Sequence, residues 1–348
     1  MYKRFLIGAA IAATATSAAF ASPVVGTDAL REWNLIVLGD LTSSSEVEGR
    51  TFVGGNLSGN SSNYQISTPA PSPTGQPGLI VVGDVTGGTK NLNNGSGAIV
   101  GGNVTSGFNL NGAAQTVQVG GTISNTNVNQ NTVQSGLANS GSFLSDLTLQ
   151  KTVLASSMTD LSQSMGALTS NSALTISGNR GTFNATPNAD GIAVFNIAAS
   201  DLDRIGEIQF NLNGADTAIV NVSGAAITLN DNFLGGTNGL GEHVIWNFPD
   251  ATTLGLTTAW GGSILAPGAA ATTGNYVQGS AVFGSLVQNG EFHLGTYTGG
   301  YYPPLTPPGG DDGGPTPIPE PGTWALLALG LGLLALLYSR RRRIVRGQ

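Results

Sequence analysis

The chain has 348 residues, a net charge of −7, 52 glycines, two histidines and no cysteine. Without cysteine there is no disulfide framework and no thiolate or zinc–sulfur chemistry. Glycine at roughly twice its usual share, with few charges, argues against a helical enzyme and for many short strands joined by turns. Between Ser22 and Gly300 six basic side chains face seventeen acidic ones, and no Lys or Arg stands between Arg204 and Arg340. Phosphate-backbone binding needs clustered cations, so nucleic acid is excluded as a partner.

The chain opens "MYKRFLIGAAIAATATSAAFAS", with Lys3 and Arg4, an apolar run and then Ala19-Phe20-Ala21. A charged region, an apolar region and an A-x-A site in that order predict a signal peptide over 1–21, cut after Ala21.

One phrase then recurs: "VLGDLTS", "FVGGNLSG", "VVGDVTG", "IVGGNVTS" and "QVGGTIS". Its second apolar residue falls at Leu38, Val53, Val82, Val100 and Val119, and the Pro/Gly/Ser insertion 67–78 occupies the one long step. An apolar strand, a glycine corner and another short strand at a regular period predict the rungs of a β-solenoid. Within the first corner Asp40, Glu46 and Glu48 cluster with Ser43 to Ser45. Several carboxylate oxygens in a short loop suit calcium, although the Asp-x-Asp-x-Asp-Gly order of a dedicated site is missing.

Over 143–168, Leu147, Leu154, Met158, Leu161, Met165 and Leu168 repeat at steps of three, four and seven. That spacing predicts one long helix packed along the solenoid, with Ser142 or Ser145 capping its start. Strand-like runs return after it, and Ile245, Ile264 and Val282 are expected to stack on successive rungs. Only His243 and His293 can act as imidazole bases. His293 shares a strand face with Glu291, but no spacing supplies the further ligands a metal site needs. No nucleophile-elbow pattern is present, and paired carboxylates across a groove, which a glycan-active enzyme requires, cannot be placed from sequence.

Proline and glycine over 299–318 predict an extended linker. Beyond it, Trp324 to Tyr338 is an uncharged apolar run followed by Arg340, Arg341, Arg342 and Arg343. As a helix it reaches about 22 Å, short of a full bilayer core, with Trp324 and Tyr338 at the interfaces and the arginines on the cytoplasmic side. The expected anchor is therefore a transmembrane helix over 324–338.

The tail 319–348, with Pro319-Glu320-Pro321, the short apolar helix and the basic cluster in order, resembles the PEP-CTERM sorting signal of Gram-negative bacteria. That resemblance implies transient membrane tethering and cleavage near the motif by an exosortase-type enzyme. The stretches "NLIVLGDLTSSSEVEGRTFVGGNLSG", "VNVSG", "VIWNFPDATTLGL", "GGSILAPGA" and "GEFHLGTYTG" resemble the choice-of-anchor A family of surface proteins. The likeness is spread over residues 33–299, and implies a domain of residues 22–298 in an adhesin-like protein whose outline is similar to ice-binding proteins.

The expected fold is thus mainly β, a right-handed discontinuous β-solenoid with one helix alongside and a C-terminal transmembrane helix. The expected role is non-enzymatic: an exported surface or matrix protein with an exopolysaccharide or cell-surface polymer as partner and no cofactor beyond the calcium candidate. Ice binding is the rival, and it calls for a regular row of threonines, which the sequence offers only as scattered residues.

Overall fold

The computed structural model describes residues 23–68 and 70–303. The expected signal peptide, the sorting motif and the helix 324–338 lie outside the described residues. Among the described residues no helix is long and apolar enough to cross a membrane.

The described body is mainly β, with sheets of fifteen, seven and four strands. Nearly all pairings are parallel, and the hairpin Ala173–Ser177 with Arg180–Asn184 is the antiparallel exception among the described strands. Rungs stack in register: Val37 lies opposite Val53, Val53 opposite Val81, Val81 opposite Val100, and Val100 opposite Val119. The sequence spacing had placed Leu38 and Val82 in this column, one residue late. The cause is the corner: the single glycine of a Gly-Asp rung matches the second glycine of a Gly-Gly-Asn rung. Gly55 N–H donates to Gly39 O at 2.8 Å, Gly83 to Gly55 at 2.9 Å and Gly102 to Gly83 at 3.0 Å. Leu38 and Val82 therefore occupy the column of Gly54 and Gly101. A Cβ on Gly54 would lie 2.3 Å from Leu38 O, so side chain and glycine alternate there.

Chain order and stacking order differ. The first rung, Leu35–Val37, lies in the middle of the stack. From it the chain coils outward through Thr51–Val53, Leu79–Val81, Ala98–Val100 and Thr116–Val119 to Thr132–Gln134. The helix Phe143–Gly166 carries it back across the rungs, starting beside Gly120 and ending against Pro249. The second coil starts at the opposite end with Ile192–Ala198 and returns to Ala281–Gln288, where Leu35, Ile36 and Val37 pair with Ala281, Val282 and Phe283.

The strands are buried on both faces, which is why they read as continuous apolar runs. One core fills the coil and contains Val37, Val53, Trp246, Trp260 and Phe283. The other lies between sheet and helix, where Ile36, Phe52, Ile80, Ile219, Ile245, Leu265 and Val282 meet Leu147, Leu154, Met158, Leu161 and Met165. The expected column of Ile245, Ile264 and Val282 is corrected here: Ile264 lies between Trp246 and Ala281, inside the coil, and Leu265 is the neighbour of Val282. A slip of one residue turns a strand side chain to the other face.

The helix stripe is found as expected, ending at Gly166 rather than 168. Its start differs in detail, because Ser142 Oγ donates to Asp146 Oδ2 at 2.5 Å and makes no side-chain cap to the backbone. A column of asparagines pins its other end. Asn221 Nδ2 donates to Met165 O at 2.7 Å, while Asn247 Nδ2 donates to Ser162 O at 2.8 Å and to Asn221 Oδ1 at 2.8 Å. A fully satisfied buried network of this kind fixes the helix's register on the rungs.

Side chains take up edge N–H groups at each end. At one, Phe108 and Leu110 N–H groups donate to Thr126 Oγ1 and Asn127 Oδ1 at 3.0 and 2.9 Å. At the other, Val194 N–H donates to Asn171 Oδ1 at 2.7 Å. Covered edges resist pairing with a foreign strand.

Of the linker expected over 299–318, the described residues 299–303 include several that contact the body. Gly299 N–H donates to Glu242 O at 3.1 Å, and Tyr301, 6% exposed, accepts from Thr27 Oγ1 at 2.7 Å through its carbonyl. Arg31 lies over the rings of Tyr297 and Tyr302, so aromatic packing holds this segment on the body despite its proline- and glycine-rich continuation.

Candidate functional site

Parallel stacking brings distant residues into line. On one sheet face Thr228 lies opposite Gly255, Gly255 opposite Thr272, Thr272 opposite Val287, Val287 opposite Thr42, and Thr42 opposite Ser58. Bridges Leu57–Val85, Val85–Val104 and Val104–Ile123 extend the row by one residue past each, to Thr86, Thr105 and Ser124. These side chains point outward because their neighbours Leu41, Leu57, Val85 and Val104 point into the core. Nine rungs at a strand spacing of roughly 4.8 Å give a strip about 38 Å long. Seven of its nine positions are hydroxyl side chains, so it is flat, neutral and able both to donate and to accept.

The threonines that look scattered in sequence are thus an ordered row. The signal was available: in each of the five glycine phrases the residue after the inward Leu, Val or Ile is Thr or Ser.

Beside this row runs a ladder of short polar side chains. Asn56 N–H donates to Asp40 Oδ1 at 2.7 Å, Asp84 N–H to Asn56 Oδ1 at 2.9 Å, Asn103 N–H to Asp84 Oδ1 at 2.6 Å and Thr122 N–H to Asn103 Oδ1 at 2.9 Å. Each side chain serves the corner of the next rung. Asp40 is therefore committed to the ladder. Glu46 accepts from Asn63 Nδ2 at 3.0 Å on the next face, and Glu48 accepts from Leu294 N–H at 2.6 Å. The calcium candidate is corrected accordingly: the three carboxylates are spread over a corner and a second sheet. Among the described residues no group of three or more His, Asp or Glu side chains converges. Asp84→Ala, which strips the acceptor from Asn103 N–H, is expected to lower the unfolding free energy by about 1 kcal/mol in chemical denaturation.

The two histidines do not meet. His243 Nδ1 contacts Asp216 O at 2.9 Å. His293 Nε2 contacts Glu291 Oε2 at 2.9 Å, as the shared face predicts, and its ring stacks on Tyr276 at 4.6 Å.

Two charged groups lie buried without an opposite charge. Lys90 Nζ donates to Asn60 O at 2.5 Å, and burial pulls its pKa down to about 8. Asp231 is fully buried, and neither carboxylate oxygen has a partner. Burial, reinforced by the nearby charge of Asp203, pushes its pKa up to about 7.

The stack of parallel rungs thus carries one outward row of mostly hydroxyl side chains along a sheet face. Residues 26–294 match the family described as "Putative Ice-binding-like adhesive domain", and the chain belongs to that family. Residues 317–343 match the PEP-CTERM protein-sorting motif, a mark of exported surface proteins. No curated protein matches the chain. The crystal structure of an ice binding protein from an Antarctic bacterium, Flavobacteriaceae, is similar at 11% identity over 79% of this chain and 84% of that one, with a TM-score of 0.23.

Proposed function

We propose that this is a non-enzymatic adhesin-like protein of the cell surface or extracellular matrix, with the hydroxyl row and its polar ladder as its adhesive face. The alignment of Thr42, Ser58, Thr86, Thr105, Ser124, Thr228 and Thr272 along one face carries this reading. A row of identical weak contacts gains strength when a polymer engages many at once, which favours an exopolysaccharide or cell-surface polymer as partner. The fold is a right-handed discontinuous β-solenoid of choice-of-anchor A type. Right-handed crossovers are the strong general preference for parallel strands.

The protein enters export through a signal peptide cut after Ala21. It is held briefly in the membrane by the helix 324–338 with Arg340 to Arg343 on the cytoplasmic side, and an exosortase-type enzyme then clips it near Pro319-Glu320-Pro321. Exopolysaccharide from the producing bacterium, immobilised on a column, tests the adhesive face. The protein is expected to be retained, and Thr42→Lys with Thr272→Lys to weaken retention about tenfold, since losing two or three array contacts breaks the avidity. Equal retention of protein and variant rules this face out.

The same row favours ice as a second reading, interrupted though it is by Gly255 and Val287. An ice-recrystallisation assay separates the two: inhibition by the protein, lost in the double variant, selects ice.

A further inference from the structure

The two ends of the stack are finished differently. At one, the N–H groups of Ile192, Val194 and Ala198 donate to Asn188 Oδ1, Asn171 Oδ1 and Asp201 Oδ2 at 2.9, 2.7 and 3.0 Å. Asp201, Asp203, Arg204 and Glu207 follow that strand in the chain. At the other end the last strand of the fifteen-stranded sheet, Thr132–Gln134, pairs on one side alone, with Thr116–Val119. Thr132 N–H donates to Gln115 O at 2.9 Å, so Thr132 and Gln134 turn their backbone groups into the stack. Val133 between them turns its N–H and C=O outward, and neither has a partner among the described residues.

Proteins commonly guard such an edge with charges or proline. Here the guard is missing: from Asn91 to Ser145 the sequence holds no Asp, Glu, Lys, Arg, His or Pro. The same end leaves apolar side chains in solvent. Val128, in the loop before the strand, is 48% exposed, and Leu144, in the first turn of the helix that starts beside Gly120, is 39% exposed.

An unpaired N–H and C=O on one residue call for another strand, and the charge pattern selects which. Acidic side chains outnumber basic ones over the rest of the body, so two copies repel each other on approach except through an end without charge. The nearest charge along the chain, Asp146, accepts from Ser142 Oγ. A strongly charged partner finds no complement on this end. Symmetry favours a copy further. In an antiparallel pair, a residue that faces its own copy across a two-fold axis exchanges both hydrogen bonds, N–H to C=O in each direction. One outward residue therefore suffices for a contact that is self-complementary and closes at two.

We propose that this protein pairs end to end with a second copy of itself, through antiparallel contact of Thr132–Gln134 about Val133, with Val128 and Leu144 packed beside it. The opposite end, charged and with edge N–H groups already taken, stays free, so association stops at the dimer. The contact does not depend on the adhesive reading. If that reading holds, the pair carries two hydroxyl rows in one particle and grips a polymer at two places.

Sedimentation equilibrium of the purified full chain tests it, and a monomer–dimer equilibrium without larger species is expected. Val133→Pro removes the outward N–H at an edge position where proline is tolerated. Val128→Asp sets like charges against each other across the contact. Each is expected to raise the dissociation constant at least about tenfold. Val128 is exposed, so its variant decides the matter if Val133→Pro lowers the melting temperature. The pairing also sets Thr132 of one copy opposite Gln134 of the other, with about 4.5 Å between Cα atoms, which is within disulfide reach. In a chain without native cysteine, Thr132→Cys mixed with Gln134→Cys is expected to give far more covalent dimer on mild oxidation than either variant alone. A monomer at every concentration, a dimer that both Val133→Pro and Val128→Asp leave unchanged, or no excess of the mixed crosslink overturns the contact.

Discussion

Trp246→Ala lowers the unfolding free energy by about 3 to 5 kcal/mol, the range for truncating a large buried aromatic, as measured by urea denaturation. Trp246 is wholly buried. Its ring makes edge contacts with Phe183 at 5.4 Å and Phe210 at 5.7 Å and tilts against Trp260 at 5.0 Å. Its Nε1–H donates to Gly261 O at 2.9 Å, a carbonyl that the substitution leaves without this donor. Gly262 cannot move in to fill the void without rebuilding the corner, because its backbone holds φ at 118° and an added Cβ would lie 2.7 Å from the indole. Trp246→Phe keeps most of the ring contacts and is expected to cost less. A loss under 1 kcal/mol for the alanine variant would mean that the interior of this coil collapses freely and that the aromatic cluster does not define it.

The second large effect depends on pH. Asp231 has an ordinary pKa of 3.8 and a folded value near 7, so the folded chain holds this proton more tightly than the unfolded chain. The stability it contributes is therefore fully present below pH 3.8 and is lost as pH rises through 7. Above that pH an unpartnered carboxylate remains buried, at a cost of roughly 2 to 4 kcal/mol. Asp231→Asn is expected to raise the melting temperature at pH 8 and to give little gain at pH 4. Lys90 acts elsewhere on the scale, between about pH 8 and its ordinary 10.5, where stability rises with pH as the buried ammonium loses its charge. Parallel melting curves for Asp231→Asn and the parent protein from pH 4 to 8 would sink this account.

Much of the fold is legible in the glycine phrases, because glycine, Asp or Asn and an inward apolar residue each have a separate job at a coil corner. Register is harder to read. "GGN" and "GD" place the corner glycine differently relative to the preceding valine, and only the backbone ladder from Gly39 through Gly55, Gly83 and Gly102 shows which glycines correspond. The helix stripe is legible because Leu and Met at three- and four-residue steps have one sensible use. The asparagines that hold it, Asn221 and Asn247, carry no local signal, since their partners are Met165 and Ser162, far away in sequence. Asp40 reads as a metal ligand while only its own loop is in view, and as a rung-to-rung acceptor once its neighbour in the stack is known. Tyr297 and Tyr301 likewise sit in a proline- and glycine-rich stretch, where composition outweighs the packing of two aromatic rings.

The mid-stack position of the first rung has a mechanical result. Both ends of the described body lie close together, with Thr27 hydrogen-bonded to Tyr301 and Leu35 paired with Ala281. Tension applied through either end loads strands flanked on both sides, so a peeling front has no terminal coil to start from. Such a molecule, pulled by its ends, should yield abruptly and at high force instead of unravelling turn by turn.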